Sequence, residues 1–172
     1  MSYAQLLARF EHLNPLPVSG LRIGADELMS RMVEDLERLI PRAAAAFFRC
    51  DPDVRVTTRL AAGPRWRTAE SEPPAWLAPL TPRLVQMARI PEPLQAVTQI
   101  DHGPLGAAWL CLHRVPVVVN ERWIGTVLVV VPALDEPGDQ ADTGWAIGTY
   151  LHHVTKAIAR FERWKPGAVD DE

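Results

Sequence analysis

The stretch Trp109–Val131, WLCLHRVPVVVNERWIGTVLVVV, decides the fold. Val, Ile, Thr and Trp suit a pleated, half-buried surface, so the two arms read as long strands. Asn120-Glu121-Arg122 reads as the turn between them. Asn tolerates the left-handed backbone of a tight hairpin, while Glu is a poorer second turn residue than Gly. A two-residue turn at Asn120-Glu121 sets Val119 opposite Arg122, Val117 opposite Ile124 and His113 opposite Leu128. Alternation then lines Trp109, Cys111 and His113 with Val115, Val117, Ile124 and Leu128 on one face. Pro116 cannot donate a ladder hydrogen bond and marks a candidate bulge that would shift this register.

Upstream of the hairpin, Tyr3 to Leu13 forms an expected short amphipathic helix, ended by Pro15 and Pro17. A stronger helix is expected from about Ala25 to Ile40. There Met29, Met32, Leu36 and Leu39 recur at helical spacing, and Asp26 and Glu27 suit the positive N-terminal end. Ala43 to Cys50 reads as a first strand, Asp51-Pro52-Asp53 as a turn and Val54 to Ala61 as the returning strand. Gly63 to Pro82, rich in Pro, Trp and polar residues, reads as irregular, followed by a short helix over Pro82 to Arg89. Val97 to Gly106 contains a loop around Asp101-His102-Gly103-Pro104. Downstream, Asp135 to Asp142 is polar linker. A final helix over about Asp142 to Trp164 carries Ile147, Leu151, Val154, Ile158 and Phe161 as an a/d seam. The order is helix, helix, two strands, irregular cap, three strands, helix, which is an α+β domain on an antiparallel sheet.

Two pieces of this chain resemble the GAF domain family of small-molecule-sensing regulatory modules. One is Val115-Pro116-Val117-Val118-Val119, the polar turn and Trp123-Ile124-Gly125-Thr126-Val127-Leu128. The other is LIPRAAAAFFRCDPDVRV, where a helix feeds a first strand that ends in an acidic turn. The helix with Tyr150-Leu151-His152-His153-Val154-Thr155-Lys156-Ala157-Ile158 is similar to the family's closing helix. The resemblance runs from about Glu27 to Arg163. It implies a GAF-like α+β fold: a central antiparallel sheet of five to six strands, with N- and C-terminal helices on one face and an irregular cap on the other. The expected organisation is an N-terminal helix and connector over 1–24, a GAF-like domain over 25–165 and an acidic tail over 166–172. Members bind cyclic nucleotides, bilins, haem or small metabolites, so the resemblance implies a sensor and leaves the cofactor unknown. The cysteine set of the family's free-methionine-sulfoxide reductases is missing. Cys111 and His113, two apart on a strand, match the Cys-His pair of bilin-binding members poorly.

Composition sets the outer limits. With 172 residues, 48% hydrophobic and 23% charged, the chain suits one globular domain. A net charge of −3 gives no reason to expect direct nucleic acid or anionic membrane as a partner. Only 2 of 18 basic residues are Lys, which with abundant Arg, Ala and Pro suggests a bacterial, GC-rich source. Two cysteines build no disulfide framework, and no charged-then-apolar leader opens the chain, so the expected compartment is the cytoplasm. Asn120, Glu121 and Arg122 break the most apolar stretch too early for a membrane helix.

The candidate ligand-binding residues are Trp109, Cys111, His113, Arg59 and Trp66. Trp109 suits stacking on a planar ligand and His113 hydrogen bonding, provided their face looks into the cap. The alternative is that all three are core or edge residues. Arg65 and Arg67 flank Trp66, and Arg55 and Arg59 share a strand face. Together they suit an anionic ligand, or else form a solvated face with Arg stems packed on Trp. Cys111-x-His113 supplies two metal ligands where a structural zinc needs about four. His152 and His153 are neighbours on a helix, about 100° apart, and do not share a metal. A nucleophilic Cys111 would need a neighbouring cation to lower its pKa. No Ser-His-Asp spacing or phosphate-cradling loop is present, so the expectation leans away from an enzyme.

The expected function is a non-enzymatic sensory module that binds a small ligand and signals through dimer helices or a partner protein. The alternatives are a GAF-shaped interaction scaffold with no ligand, or a redox-active protein using Cys111. The terminal amphipathic helices point to a homodimer.

Overall fold

The computed structural model of the chain describes residues 25–51, 56–101, 107–133 and 140–160. Several expectations lie outside these residues: the 3–13 helix, most of the 51–53 turn, the loop at 102–106, the 135–139 linker, the end of the last helix and the acidic tail.

Helix α1 (Ala25–Leu39) leads into strands β1 (Ala44–Asp51) and β2 (Val56–Ala62). The cap follows, with α2 (Pro64–Ser71), a 3-10 turn (Ala78–Leu80) and α3 (Thr81–Ala88). Strands β3 (Leu94–Asp101), β4 (Ala107–Val119) and β5 (Arg122–Ala133) complete the sheet, and α4 (Ala141–Arg160) closes the fold. All pairings are antiparallel, in the order β2-β1-β5-β4-β3.

The sheet buries both faces. On one side α1 places Leu28, Met29, Met32, Val33, Leu36 and Leu39, and α4 places Ala146, Ile147, Tyr150, Leu151 and Val154. These pack on Ala45, Phe47, Val117, Val127 and Val129 of the sheet. On the other side Trp66, Ala69, Leu77, Leu84 and Ala88 of the cap pack on Ala44, Ala46, Phe48, Leu110, Leu112, Leu128 and Val130. A strand buried on both faces loses the apolar-polar alternation, which is why Ala43 to Phe48 is a continuous apolar run. Tyr150 ties the two helices together, its hydroxyl donating to Asp35 Oδ2 at 3.0 Å. Burial, then the Asp35 charge, pushes that phenol well above its ordinary range.

The hairpin turn is as expected, with Asn120 and Glu121 both at positive φ (48° and 63°), the geometry of a type I′ turn. The register beyond it differs. Val119 pairs with Arg122 and Val118 with Trp123, but Val117 pairs with Gly125, leaving Ile124 as an extra residue in β5. The bulge sits beside Gly125, two pairs from the turn, and Pro116 pairs regularly with Thr126. His113 therefore faces Val129 instead of Leu128, and Ile124 and Leu128 belong to opposite cores.

The cap is also more regular than its composition suggests. Pro64 stands in the first turn of α2, where a missing N–H costs nothing. The exposed N–H groups of that helix end find the carboxylate of Glu37, from a distant part of the sequence. Glu37, 3% exposed, accepts hydrogen bonds from the backbone N–H of Ala45 (3.0 Å), Arg65 (2.9 Å) and Trp66 (3.0 Å). One side chain thus joins α1, β1 and α2.

Candidate functional site

The cap side holds a partly enclosed cavity. A cavity of about 150 Å³ lies between α3 and the β3–β4–β5 part of the sheet. Its apolar walls are Leu80, Leu84, Met87, Ile100, Leu110, Leu112 and Val130, with Ala96 in the floor. Arg83, Thr98 and Gln99 supply the polar groups. This is a largely apolar wall with a few polar anchors, the usual make-up of a small-molecule site. A second, larger depression of about 330 Å³ opens to solvent where α2 begins, between Arg42, Arg65, Trp76 and Pro64, Pro73, Pro74 and Pro132. Arg65 there is already engaged. Its guanidinium donates to the Glu37 carbonyl and, at 3.4 Å, to those of Ile40 and Ala43.

The five residues expected from the sequence do not converge. Val115 and Val117 pack in the helix-side core, so alternation puts Trp109, Cys111 and His113 beneath the helices, away from the cap. Gly144 of α4 lies over this face: a Cβ there would stand 3.8 Å from His113 Nδ1. Trp66 is on the cap side but wholly buried, edge to face with Phe48 (centroids 6.0 Å apart, 67°). It fills the space above β1, and its indole Nε1 has no hydrogen-bond partner among the described residues. Arg59 pairs with Glu70 of α2, whose other oxygen accepts from Thr81 Oγ1 at 2.9 Å. It braces β2 against the cap. Arg67 donates to the Ala62 carbonyl at 2.8 Å. These cations bond within the fold.

The lining that sequence reasoning missed is the opposite parity of the same strand, Leu110 and Leu112, together with Leu84 and Met87 of α3. The sequence did carry a signal for the latter pair, since the Pro82–Arg89 segment reads as a helix.

Burial pushes both Cys50 and Cys111 above the ordinary thiol range, and Cys50 Sγ donates to the Ala88 carbonyl at 3.0 Å. A protonated, buried thiol is a poor nucleophile. Among the described residues no three His, Cys, Asp or Glu side chains are grouped to hold a metal ion. Nor is any described helix long and apolar enough to cross a membrane.

His113 is 2% exposed, and burial pushes its imidazole down to about 4. It is neutral at pH 7 in the folded chain and titrates near 6.5 when unfolded. Its contribution to stability is complete above about pH 6.5 and is lost as the pH falls toward 4, by roughly 3 kcal/mol in all. Denaturant midpoints measured from pH 7 to 4 should fall accordingly, and His113→Leu should remove most of that decline.

This architecture matches known structures. The fold is that of a GAF domain. The GAF domain/HD domain protein from Geobacter sulfurreducens superposes with a TM-score of 0.51 at 20% identity, over 85% of this chain and 99% of that one. GAF3 from Slr1393 of Synechocystis sp. PCC6803, in its photoproduct state, gives a TM-score of 0.48 at 12% identity, over 80% and 94% of the two chains. No family model matches the sequence, and no curated protein does. In this GAF-like domain the 150 Å³ cavity lies on the cap face and α1 and α4 on the other.

Proposed function

We propose that this GAF-like domain is a cytoplasmic sensory module that takes a small, largely apolar ligand between α3 and the sheet. The partly enclosed cavity lined by Leu84, Met87, Leu110 and Leu112 carries this reading. Its volume, about 150 Å³, is that of apolar cavities that hold a single benzene-sized ring. It falls below the roughly 300–1,000 Å³ of pockets for drug-sized ligands, so a haem, bilin or nucleotide would require the cap to open. Arg83 at the mouth favours a ring or short branched chain that carries a carboxylate. Binding would order α3 against β3 and β4, and the shift would pass through the sheet to α1 and α4, then to a second copy or a partner protein.

Benzoate and phenol are suitable ring-sized probes. At about 100 times its dissociation constant, a ligand specific to the folded state adds about 2.7 kcal/mol, or roughly 5–10 °C in melting temperature. Benzoate should give the larger shift, and Leu112→Trp, which fills the cavity, should abolish it. Native mass spectrometry of freshly purified protein reports any retained ligand directly. A bare-chain mass together with unmoved melting for both probes would sink the proposal.

One observation favours a different reading, a scaffold that works only by protein contacts. Trp66 and Leu77, both wholly buried, fill the cap side over β1, where a larger pocket would otherwise extend. The same probe experiment separates the two readings. For Cys111 redox chemistry, a raised thiol pKa and 1% exposure give no support.

A further inference from the structure

Among the described residues, the apolar stripes of α1 and α4 are buried against their own sheet, which turns attention to the edges of that sheet. The sheet offers two edges, and they differ in kind. Strand β2 carries the devices that block edge pairing: the charged Arg59 near its centre and a register break between Phe47 and Phe48 that leaves Leu60 as the odd residue. Strand β3 carries neither. It pairs with β4 without a break over Leu94 to Asp101, contains no Pro, and has no charged residue before Asp101. Gln95, Val97, Thr98 and Gln99 are exposed, Val97 to 42%.

The order of residues along this edge is self-complementary. About Val97, Leu94 mirrors Ile100, Gln95 mirrors Gln99 and Ala96 mirrors Thr98. In an antiparallel pair related by a twofold axis through Val97, each residue meets its counterpart on the same face of the sheet: aliphatic on aliphatic, amide on amide, Val97 on Val97. A one-residue slip would set cap-facing residues against helix-facing ones, which the twofold repeat of a strand forbids. A two-residue slip one way sets Val97 against Gln99 and Gln95 against Asp101. The other way, it draws Pro93, which lacks an N–H, into the ladder. Only the Val97-centred register matches throughout.

We propose that two copies of this chain associate through β3, antiparallel and centred on Val97, joining their two sheets into one continuous sheet. The pairing is independent of whether the cavity takes a ligand.

The test uses the full chain. Light scattering across micromolar concentrations should show a dimer. Residues facing each other across an antiparallel pair have Cα atoms about 4.5–5.5 Å apart, within disulfide range. Val97→Cys should therefore give a covalent dimer under mild oxidation, while Thr58→Cys on the exposed β2 edge should not. Val97→Lys, which sets two ammonium groups together on the axis, should weaken dimerisation by tenfold or more with an unchanged circular dichroism spectrum. A monomer at every concentration would overturn the proposal. So would a dimer that resists Val97→Lys, or that cross-links through Thr58→Cys and not Val97→Cys.

Discussion

Glu37→Ala is expected to cost about 3–5 kcal/mol and to lower the melting temperature by about 10–15 °C. The carboxylate accepts from the N–H groups of Ala45, Arg65 and Trp66, and truncation leaves all three without that acceptor at a buried junction. Each orphaned buried N–H costs on the order of 1–3 kcal/mol, and partial relaxation or water entry keeps the sum below the simple total. Glu37→Gln should cost less. Its carbonyl can still accept from Ala45 and Trp66, but its amide NH2 then faces the Arg65 N–H. Gly63→Ala reaches the same interaction from the other side. A Cβ there would lie 2.2 Å from Glu37 Oε1, so the carboxylate must leave its three donors. Thermal melting and amide exchange at Arg65 and Trp66 check the argument. An Ala variant as stable as the parent, with α2 still protected, would show that the junction holds without this carboxylate.

Glu37 also shows what could and could not be read from the sequence. Helix α1 was legible because its apolar residues recur at helical spacing, and β1 and the hairpin because branched and aromatic residues run between turn signals. Helix α2 was not. Its start is set by a carboxylate many residues upstream, and its own stretch, PRWRTAES, has Pro, Trp and polar residues with weak periodicity. The cavity-lining face was illegible for another reason. Trp109, Cys111, His113 and Val115 form one parity of β4 and Leu110 and Leu112 the other, and both are buried. When both faces of a strand are covered, alternation reveals two sets of residues but not which set meets the cap. The hairpin turn was visible in Asn120, whereas the extra residue at Ile124 depends on how β5 meets β1.

That meeting point is Gly125, and Gly125→Ala should cost about 3–4 kcal/mol, mainly through overpacking against immovable backbone. A Cβ on Gly125 would stand 2.3 Å from the Phe48 carbonyl oxygen and 2.7 Å from Phe47 Cζ. The carbonyl belongs to β1 within its ladder to β5, where Arg49 pairs with Gly125 and Phe48 with Thr126. Relief therefore means separating two central strands of the sheet. The Phe47 ring is wholly buried in the helix-side core and has little room to turn away. Urea unfolding should show a lower midpoint with an unchanged slope. A double-mutant cycle with Phe47→Leu separates the two contacts. Shortening the side chain removes the ring clash and leaves the carbonyl, so Gly125→Ala should remain destabilising in that background, though by less. If the Ala substitution became harmless once the ring was gone, the backbone contact would not be the constraint that fixes this glycine.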